Sequence, residues 1–255
     1  MDKTRVFVVV GLLICPFIFF CVFSPNRTVP TQIFQVGTQL KPAEPSNFSE
    51  EWNKTIHKYL KFPLNNQYGS HAIVLLAAAY ATQSGAILEL GMGSTSTPLL
   101  HRLAIDQNRF LLSADSDMRW VNHFSSRYGN NSLHVMKHVE VESEMGVEWA
   151  RADISDAAPW SIVFIDHRPG PRRQFDLIGY SGRSTLVILH DTEQTQMYNY
   201  GLGLPYYRHQ YRFTRLKTYT DVLSAKDEGL VKKIQFLLDT VPDSFFDNTT
   251  STLSS

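Results

Sequence analysis

The sequence predicts an α/β protein built on a mostly parallel sheet with helices on both faces. Three observations carry that prediction. Short apolar runs of strand length recur at residues 86–90, 110–114, 161–165 and 185–189. Segments of helical spacing alternate with them, which implies parallel pairing with right-handed crossovers. The first run passes into the small-residue turn Gly91-Met92-Gly93-Ser94-Thr95-Ser96. Thr97 and Pro98 then open a helix, with a hydroxyl at the N-cap and proline at the first helical position. Open α/β sheets hold nucleotide-like ligands at such a strand, glycine turn and helix, because glycine lacks an obstructing Cβ and the helix start presents free N–H groups.

Each element has its own justification in chain order. Trp52, Ile56, Tyr59 and Leu60 at helical spacing predict an amphipathic helix over 49–60. The strongly apolar, Ala-rich segment 70–83 reads as a buried helix that Gly85 stops. After the strand at 86–90 come a helix at 97–106, a strand at 110–114, and a helix at 118–128 with Val121, Phe124 and Tyr128 inward. Further strands are expected at 134–141, at 161–165 ending on Asp166, and at 185–189 ending on His190-Asp191. Two close strands at 211–217 and 221–224 and a helix over 226–238 complete the domain.

The chain of 255 residues is long enough for one substantial α/β domain and short for two. Lys and Arg together number 24, as do Asp and Glu, so the net charge is zero. That argues against a nucleic-acid partner held by bulk electrostatics. Residues 6–23 are uncharged and almost wholly apolar, and Lys3 and Arg5 precede them. A span of that length is near the lower limit of about 17–25 residues for crossing a bilayer, and the flanking charge favours a cytosolic N-terminus. The expected plan is a cytosolic end at 1–5, a transmembrane signal anchor at 6–23, a Pro/Thr/Ser-rich stem at 24–48, the globular domain at 49–240 and a disordered Ser/Thr tail at 241–255. A cleaved signal peptide is the alternative, with a secreted product. Either places the domain in the endoplasmic reticulum, the Golgi or beyond, and five N-x-S/T sequons at Asn26, Asn47, Asn53, Asn130 and Asn248 agree. Cys15 and Cys21 both lie in the apolar segment, so the domain has neither a disulfide nor a cysteine-based metal site.

Ligands of an open parallel sheet sit beyond the C-terminal strand ends. The polar residues there are Glu89 with the glycine turn, Asp115 and Asp117, Asp166-His167-Arg168, and His190-Asp191-Thr192. Asp115 follows the glycine turn by roughly 20 positions, where an acidic residue accepts hydrogen bonds from ribose hydroxyls. A G-x-G-x-x-G dinucleotide turn is excluded, since Ser96 replaces its third glycine. His167, Arg168 and the Arg172-Arg173 pair also admit structural readings, as solvated loop residues or as partners of Asp176 one helical turn away. Tyr198, Tyr200, Tyr206 and Tyr207 crowd the segment after the fifth strand, where they could stack on a substrate or simply pack.

ELGMGST at 89–95 resembles motif I of the class I S-adenosylmethionine-dependent methyltransferases, a Rossmann-like family. LLSADSD, IVFIDHRPGPRR and LVILHDTE follow in the order of that family's second, fourth and fifth strand motifs. The resemblance covers roughly residues 68–226. It implies S-adenosylmethionine as cofactor, held by Glu89, Gly91, Gly93, Ser94, Thr95 and Asp115, with Glu89 near its amino group or ordering the turn. It implies that Asp166 and Asp191 face the transferred methyl, and that a metal-free version uses His190 or His167 as general base. In metal-dependent O-methyltransferases similar positions bind a divalent cation, and oxygen ligands suit Mg2+. Here Thr192 stands where an Asn ligand is expected. The expected activity is O-methylation of a small-molecule or glycan substrate of the secretory pathway, without nucleic acid. Two alternatives are a Golgi-type glycosyltransferase, which Asp115-Ser116-Asp117 as a D-x-D motif would serve, and a non-catalytic methyltransferase-like binding protein.

Overall fold

The computed structural model describes residues 45–65, 70–153 and 159–247. Among these residues six helices, α1 (Pro45–Tyr59), α2 (Ala72–Thr82), α3 (Ser96–Asp106), α4 (Met118–Tyr128), α5 (Arg173–Tyr180) and α6 (Glu228–Asp239), surround a seven-stranded sheet. Its strands are β1 (Ile87–Leu90), β2 (Leu111–Asp115), β3 (His134–His138), β4 (Trp160–Ile165), β5 (Ser184–His190), β6 (His209–Phe213) and β7 (Thr220–Ser224). The spatial order is β3-β2-β1-β4-β5-β7-β6. The first five are mutually parallel, while β7 runs antiparallel to both β5 and β6. This is a mostly parallel, Rossmann-like sheet. The strand order reverses between β1 and β4, and that reversal opens the crevice at their C-terminal ends.

Strand alternation sorts side chains into two cores. Ile87, Leu111, Ile162, Phe164, Leu186 and Ile188 face a layer built from α1, α2, α3 and α6. Leu88, Leu90, Leu112, Val163, Ile165, Val187 and Leu189 face the opposite layer, with Trp149, Trp160, Leu177 of α5 and Tyr200. Eight consecutive residues of α2, from Ala72 to Ala79, are buried, which explains a helix apolar all round. The same alternation puts Glu89 and Ser113 on the α2–α3 side, in the register of the apolar Ile87 and Leu111.

Several boundaries differ from the sequence expectation. Helix α1 starts at Pro45, inside the segment expected as stem, and Trp52 anchors it by donating its indole N–H to the Leu237 carbonyl at 2.9 Å. β3 ends at His138 rather than at 141. Leu64–Asn65 pairs in parallel with Phe246–Asp247, so ordered pairing reaches into the expected tail. Thr97 is not the N-cap of α3. That place falls to Thr95, whose side chain makes no capping bond, because the Thr97 hydroxyl is engaged below the turn. The anchor at 6–23, both cysteines, most of the stem, the sequons Asn26 and Asn248 and the last eight residues lie outside the described residues. Among the described residues no helix is long and apolar enough to cross a membrane.

Candidate functional site

At the end of β1 the chain turns through Gly91 at φ +98°, a left-handed conformation that favours glycine. A Cβ there would lie 2.6 Å from the Asp166 carbonyl carbon and 2.7 Å from the His167 nitrogen. Gly91 is therefore required for the close approach of the turn to the backbone leaving β4. Gly93 is different: a Cβ would meet only the Ser96 hydroxyl, at 3.2 Å. Its N–H donates to Thr97 Oγ1 at 3.0 Å.

Glu89 lies beneath this turn, fully buried. It accepts hydrogen bonds from the hydroxyls of Thr97 at 3.0 Å and Ser113 at 2.5 Å. Burial raises its pKa to about 7, against the opposing pull of these hydroxyls. His134 Nε2 stands 2.9 Å from the Ser113 hydroxyl and His101 Nδ1 3.0 Å from His134 Nδ1, so the network runs on behind β2 to α3. Of the two roles implied for Glu89, the geometry matches the ordering of the turn. Asp115 closes the turn from the β2 side. Its Oδ2 accepts from the Met92 N–H and its Oδ1 from the Asp117 N–H, each at 2.7 Å. Each oxygen keeps a second lone pair for a hydroxyl donor. Asp117 caps α4 through the Arg119 N–H and pairs with the Arg119 guanidinium at 2.7 Å. Asp115 and Asp117 thus spend their oxygens separately on local donors, unlike a D-x-D pair that converges on a metal.

The main cleft is about 810 Å³, within the range of small-molecule sites. It is lined by Ser116 after β2, Val141, Asp166 after β4, Arg168–Gly170, Arg173, His190, Asp191 and Tyr198. All three residues expected to be catalytic, Asp166, His190 and Asp191, meet there. His190 Nδ1 lies 3.3 Å from Asp166 Oδ1 and 3.4 Å from Asp191 Oδ1, at ion-pair rather than hydrogen-bond geometry. None of the six expected cofactor residues lines this cleft. Ser94 and Thr95 border a separate recess with Tyr59, Arg102 and Arg127.

Arg173, nearly fully buried, organises the floor of the cleft. It bridges Asp166 Oδ1 at 2.9 Å and Asp191 Oδ2 at 3.2 Å, and donates to the His167 carbonyl at 2.7 Å. Burial alone would raise the Asp166 carboxyl, but His190 and the Arg173 charge outweigh it and hold its pKa near about 2. For His190 burial works against the charged form, and the carboxylates of Asp166 and Asp191 reverse that, so its pKa lies above the ordinary imidazole value. Asp191 itself adopts φ +58°, uncommon for a non-glycine residue and a form of strain that clusters at functional sites.

Other sequence readings divide. His167 is neither a solvated loop residue nor a base in the cleft: it is buried, stacked on Trp149 at 4.2 Å between centroids, with Nε2 2.8 Å from Asp176. Burial lowers its pKa. Arg172 takes the expected i, i+4 pairing with Asp176 at 3.0 Å, whereas Arg173 turns to the strand-end carboxylates. Among the tyrosines, Tyr198 lines the cleft over the Arg173 guanidinium. Tyr200 and Tyr207 are core residues donating to the His190 and Leu177 carbonyls, and Tyr206 is exposed.

Mg2+ does not fit the expected ligand set. The Arg173 guanidinium already engages an oxygen of both Asp166 and Asp191, and the buried Thr192 hydroxyl donates to Asp221 at 2.8 Å, away from the cleft. Sequence reasoning missed Ser70, His71 and Thr218, whose polar atoms surround His190 Nε2. Their only local signal was a polar Ser-His pair at the mouth of an apolar helix and a Thr in an irregular loop.

No protein-family model matches the chain, and no curated protein does. Solved structures do. One is the O-methyltransferase TomG from Streptomyces achromogenes in complex with SAM, at 15% identity over 73% of this chain and 92% of that one, TM-score 0.45. Another is TrmK from M. capricolum with S-adenosyl-homocysteine, at 11% identity, TM-score 0.40. The matched region there is 59% of this chain and 65% of TrmK, just under two thirds of its length. A third is the METTL16 MTase domain, at 16% identity over 62% of this chain and 66% of that one, TM-score 0.40.

Proposed function

We propose that this protein is an S-adenosylmethionine-dependent methyltransferase whose acceptor binds in the cleft beyond β4 and β5. One observation carries the reading. The glycine turn closes on the backbone leaving β4 where the strand order reverses between β1 and β4, next to the cleft that Asp166, His190 and Asp191 line. The resemblance of ELGMGST and the motifs after it to the methyltransferase family supports the same assignment.

The residues present fit the methyl donor. Gly91 lets the turn close on β4, and Gly93 leaves room above the Ser96 hydroxyl. Asp115 retains lone pairs for ribose hydroxyls, and Ser116 begins the cleft beside it. S-adenosylmethionine supplies a methyl group activated on a sulfonium. The protein's own contribution is to orient the acceptor and receive its proton. His190 is placed for the second task in its neutral form, with Asp166 and Asp191 stabilising the imidazolium that results. Arg173 holds both carboxylates in register. Because His190 is biased toward its charged form, turnover should rise with pH above the ordinary imidazole range as the base is freed.

The same proposal takes the acceptor to be a hydroxyl on a small molecule or glycan of the secretory pathway, reached by a domain anchored through residues 6–23. The apolar segment and the sequons support that placement.

Isothermal titration of the purified protein with S-adenosylmethionine tests the reading, with UDP-sugars plus Mg2+ as the rival arm. Saturable binding of the methyl donor is expected. Metal-dependent UDP-sugar binding without it would transfer the protein to the glycosyltransferase reading. Gly93→Val should abolish donor binding in a protein that remains folded, since a Cβ at this position meets only the Ser96 hydroxyl.

A further inference from the structure

Around Nε2 of His190, a residue that lines the cleft, lies a group of polar side chains that methyl transfer does not use. His71, just before α2, places Nδ1 at 3.3 Å from His190 Nε2. The Ser70 and Thr218 hydroxyls lie 3.0 and 2.8 Å from that same nitrogen. An imidazole nitrogen offers one proton or one lone pair. Of the three polar neighbours within 3.3 Å, only one can make a full two-centre hydrogen bond to it. One donor atom from each of His71, Asp166 and His190 lies within 4.8 Å of the others. His71 is 6% exposed, so its ring is shielded from solvent.

The spacing has a direct metric reading. Zinc–nitrogen bonds of about 2.0–2.1 Å at tetrahedral angles hold neighbouring nitrogens about 3.3–3.4 Å apart. The separation of His71 Nδ1 from His190 Nε2 is 3.3 Å. Local charge allows a cation as well. Asp166 and Asp191 carry two negative charges against the single positive charge of Arg173.

We propose that His71, His190 and Asp166 bind one divalent transition-metal ion of borderline softness, of the Zn2+ kind. Two imidazoles and one carboxylate are the donor set such ions prefer, whereas Mg2+ demands oxygen ligands throughout. The site differs from the magnesium arrangement excluded above in its key ligand, a histidine from the start of α2, and in leaving Asp191 to Arg173. Three protein ligands leave a fourth position facing the cleft, where the ion would act as a Lewis acid on an acceptor oxygen or a water. Metal binding would take His190 and Asp166 out of the proton-accepting role proposed above, but it stands independently of methyl-donor binding.

The test uses full-length protein without a polyhistidine tag, stripped with a chelator and titrated with Zn2+ by calorimetry and with Co2+ by visible absorption. One ion per chain is expected, with the intense Co2+ bands of four- or five-coordination. His71→Ala should weaken Zn2+ binding by more than ~100-fold, beyond the effect of losing an outer partner. His123→Ala, at an exposed position on α4, should leave it within about threefold. Absence of stoichiometric binding, a weak six-coordinate Co2+ spectrum, or unchanged affinity in His71→Ala would each overturn the proposal. Should His71→Ala fail to fold, paramagnetically shifted signals from two imidazoles in Co2+-loaded wild-type protein decide the matter, their absence counting against it. A parallel titration with S-adenosylmethionine separates the two readings, because donor binding without Zn2+ binding removes only the metal site.

Discussion

Glu89 and Asp166 are both inward-facing carboxylates at the ends of adjacent parallel strands, yet the protein treats them oppositely. Glu89 is surrounded by the hydroxyls of Thr97, Ser113 and Ser96 and meets no cation, so burial prevails and its pKa rises to about 7. Asp166 is pushed the same way by burial, but His190 and Arg173 stand beside it and its pKa falls to about 2. Burial has one sign at both places. What differs is whether the partners carry a full charge. Hydroxyls fix the geometry of Glu89 and make it part of the scaffold under the glycine turn. A guanidinium keeps Asp166 ionised where it faces the cleft.

The sharpest way to break this contrast is to remove the cation. Arg173→Met should leave Asp166 and Asp191 without their shared partner and cost about 3–5 kcal/mol of folding stability, read from urea denaturation. A loss below ~1 kcal/mol would mean that solvent, not Arg173, compensates the two carboxylates.

The next effect is steric and contrasts the two glycines of the turn. Gly91→Ala combines a left-handed φ with a contact of 2.6 Å to backbone that cannot move aside, and should cost on the order of 3 kcal/mol. Equal melting temperatures for Gly91→Ala and wild type would show that the turn can be rebuilt without the close approach to β4.

The third prediction concerns pH. Glu89 has a folded pKa above its unfolded value, so in the folded state it holds its proton longer. Its contribution is fully favourable below about pH 4.5 and is lost as pH rises to about 7. Asp166 has a folded pKa below its unfolded value. It contributes stability above about pH 4 that is lost as pH falls toward about 2. Glu89→Gln should therefore flatten the decline in stability between about pH 4.5 and 7 and leave the acid limb in place. A decline identical to wild type in calorimetric melts across that range would assign it to another group.

The smallest effect belongs to Gly93→Ala. Its Cβ meets only a rotatable hydroxyl, so the expected stability change is below ~1 kcal/mol. A loss matching that of Gly91→Ala would erase the distinction between the glycine that packs and the glycine that leaves room.

The legible parts of this protein were those governed by local periodicity and chain order. The strands ending near Leu90, Ile165 and His190 are visible as apolar runs bounded by polar residues, and α4 follows from Val121 and Phe124. That Asp166, His190 and Asp191 meet was deducible, since parallel strands deliver their C-terminal ends to one edge. The direction of each side chain was less legible. From its place beside the turn Glu89 reads either as a ligand or as a residue ordering the turn, and period-two alternation from Ile87 sends it under α3, into the second role. His167 and Arg173 carried no signal to separate them from neighbours, because a turn of 3₁₀ helix before α5 decides which of them faces the cleft.

The sequence by itself determined the α/β class, the order of the elements and the set of strand ends that carry chemistry. Hydrophobic periodicity and glycine placement are local properties, and they are written residue by residue. Only the tertiary structure decided that Arg173 bridges two carboxylates and that His71 and Thr218, 147 positions apart, converge on one nitrogen of His190. Ion pairing and donor convergence depend on distances of a few ångströms across the fold, and no spacing along the chain encodes them.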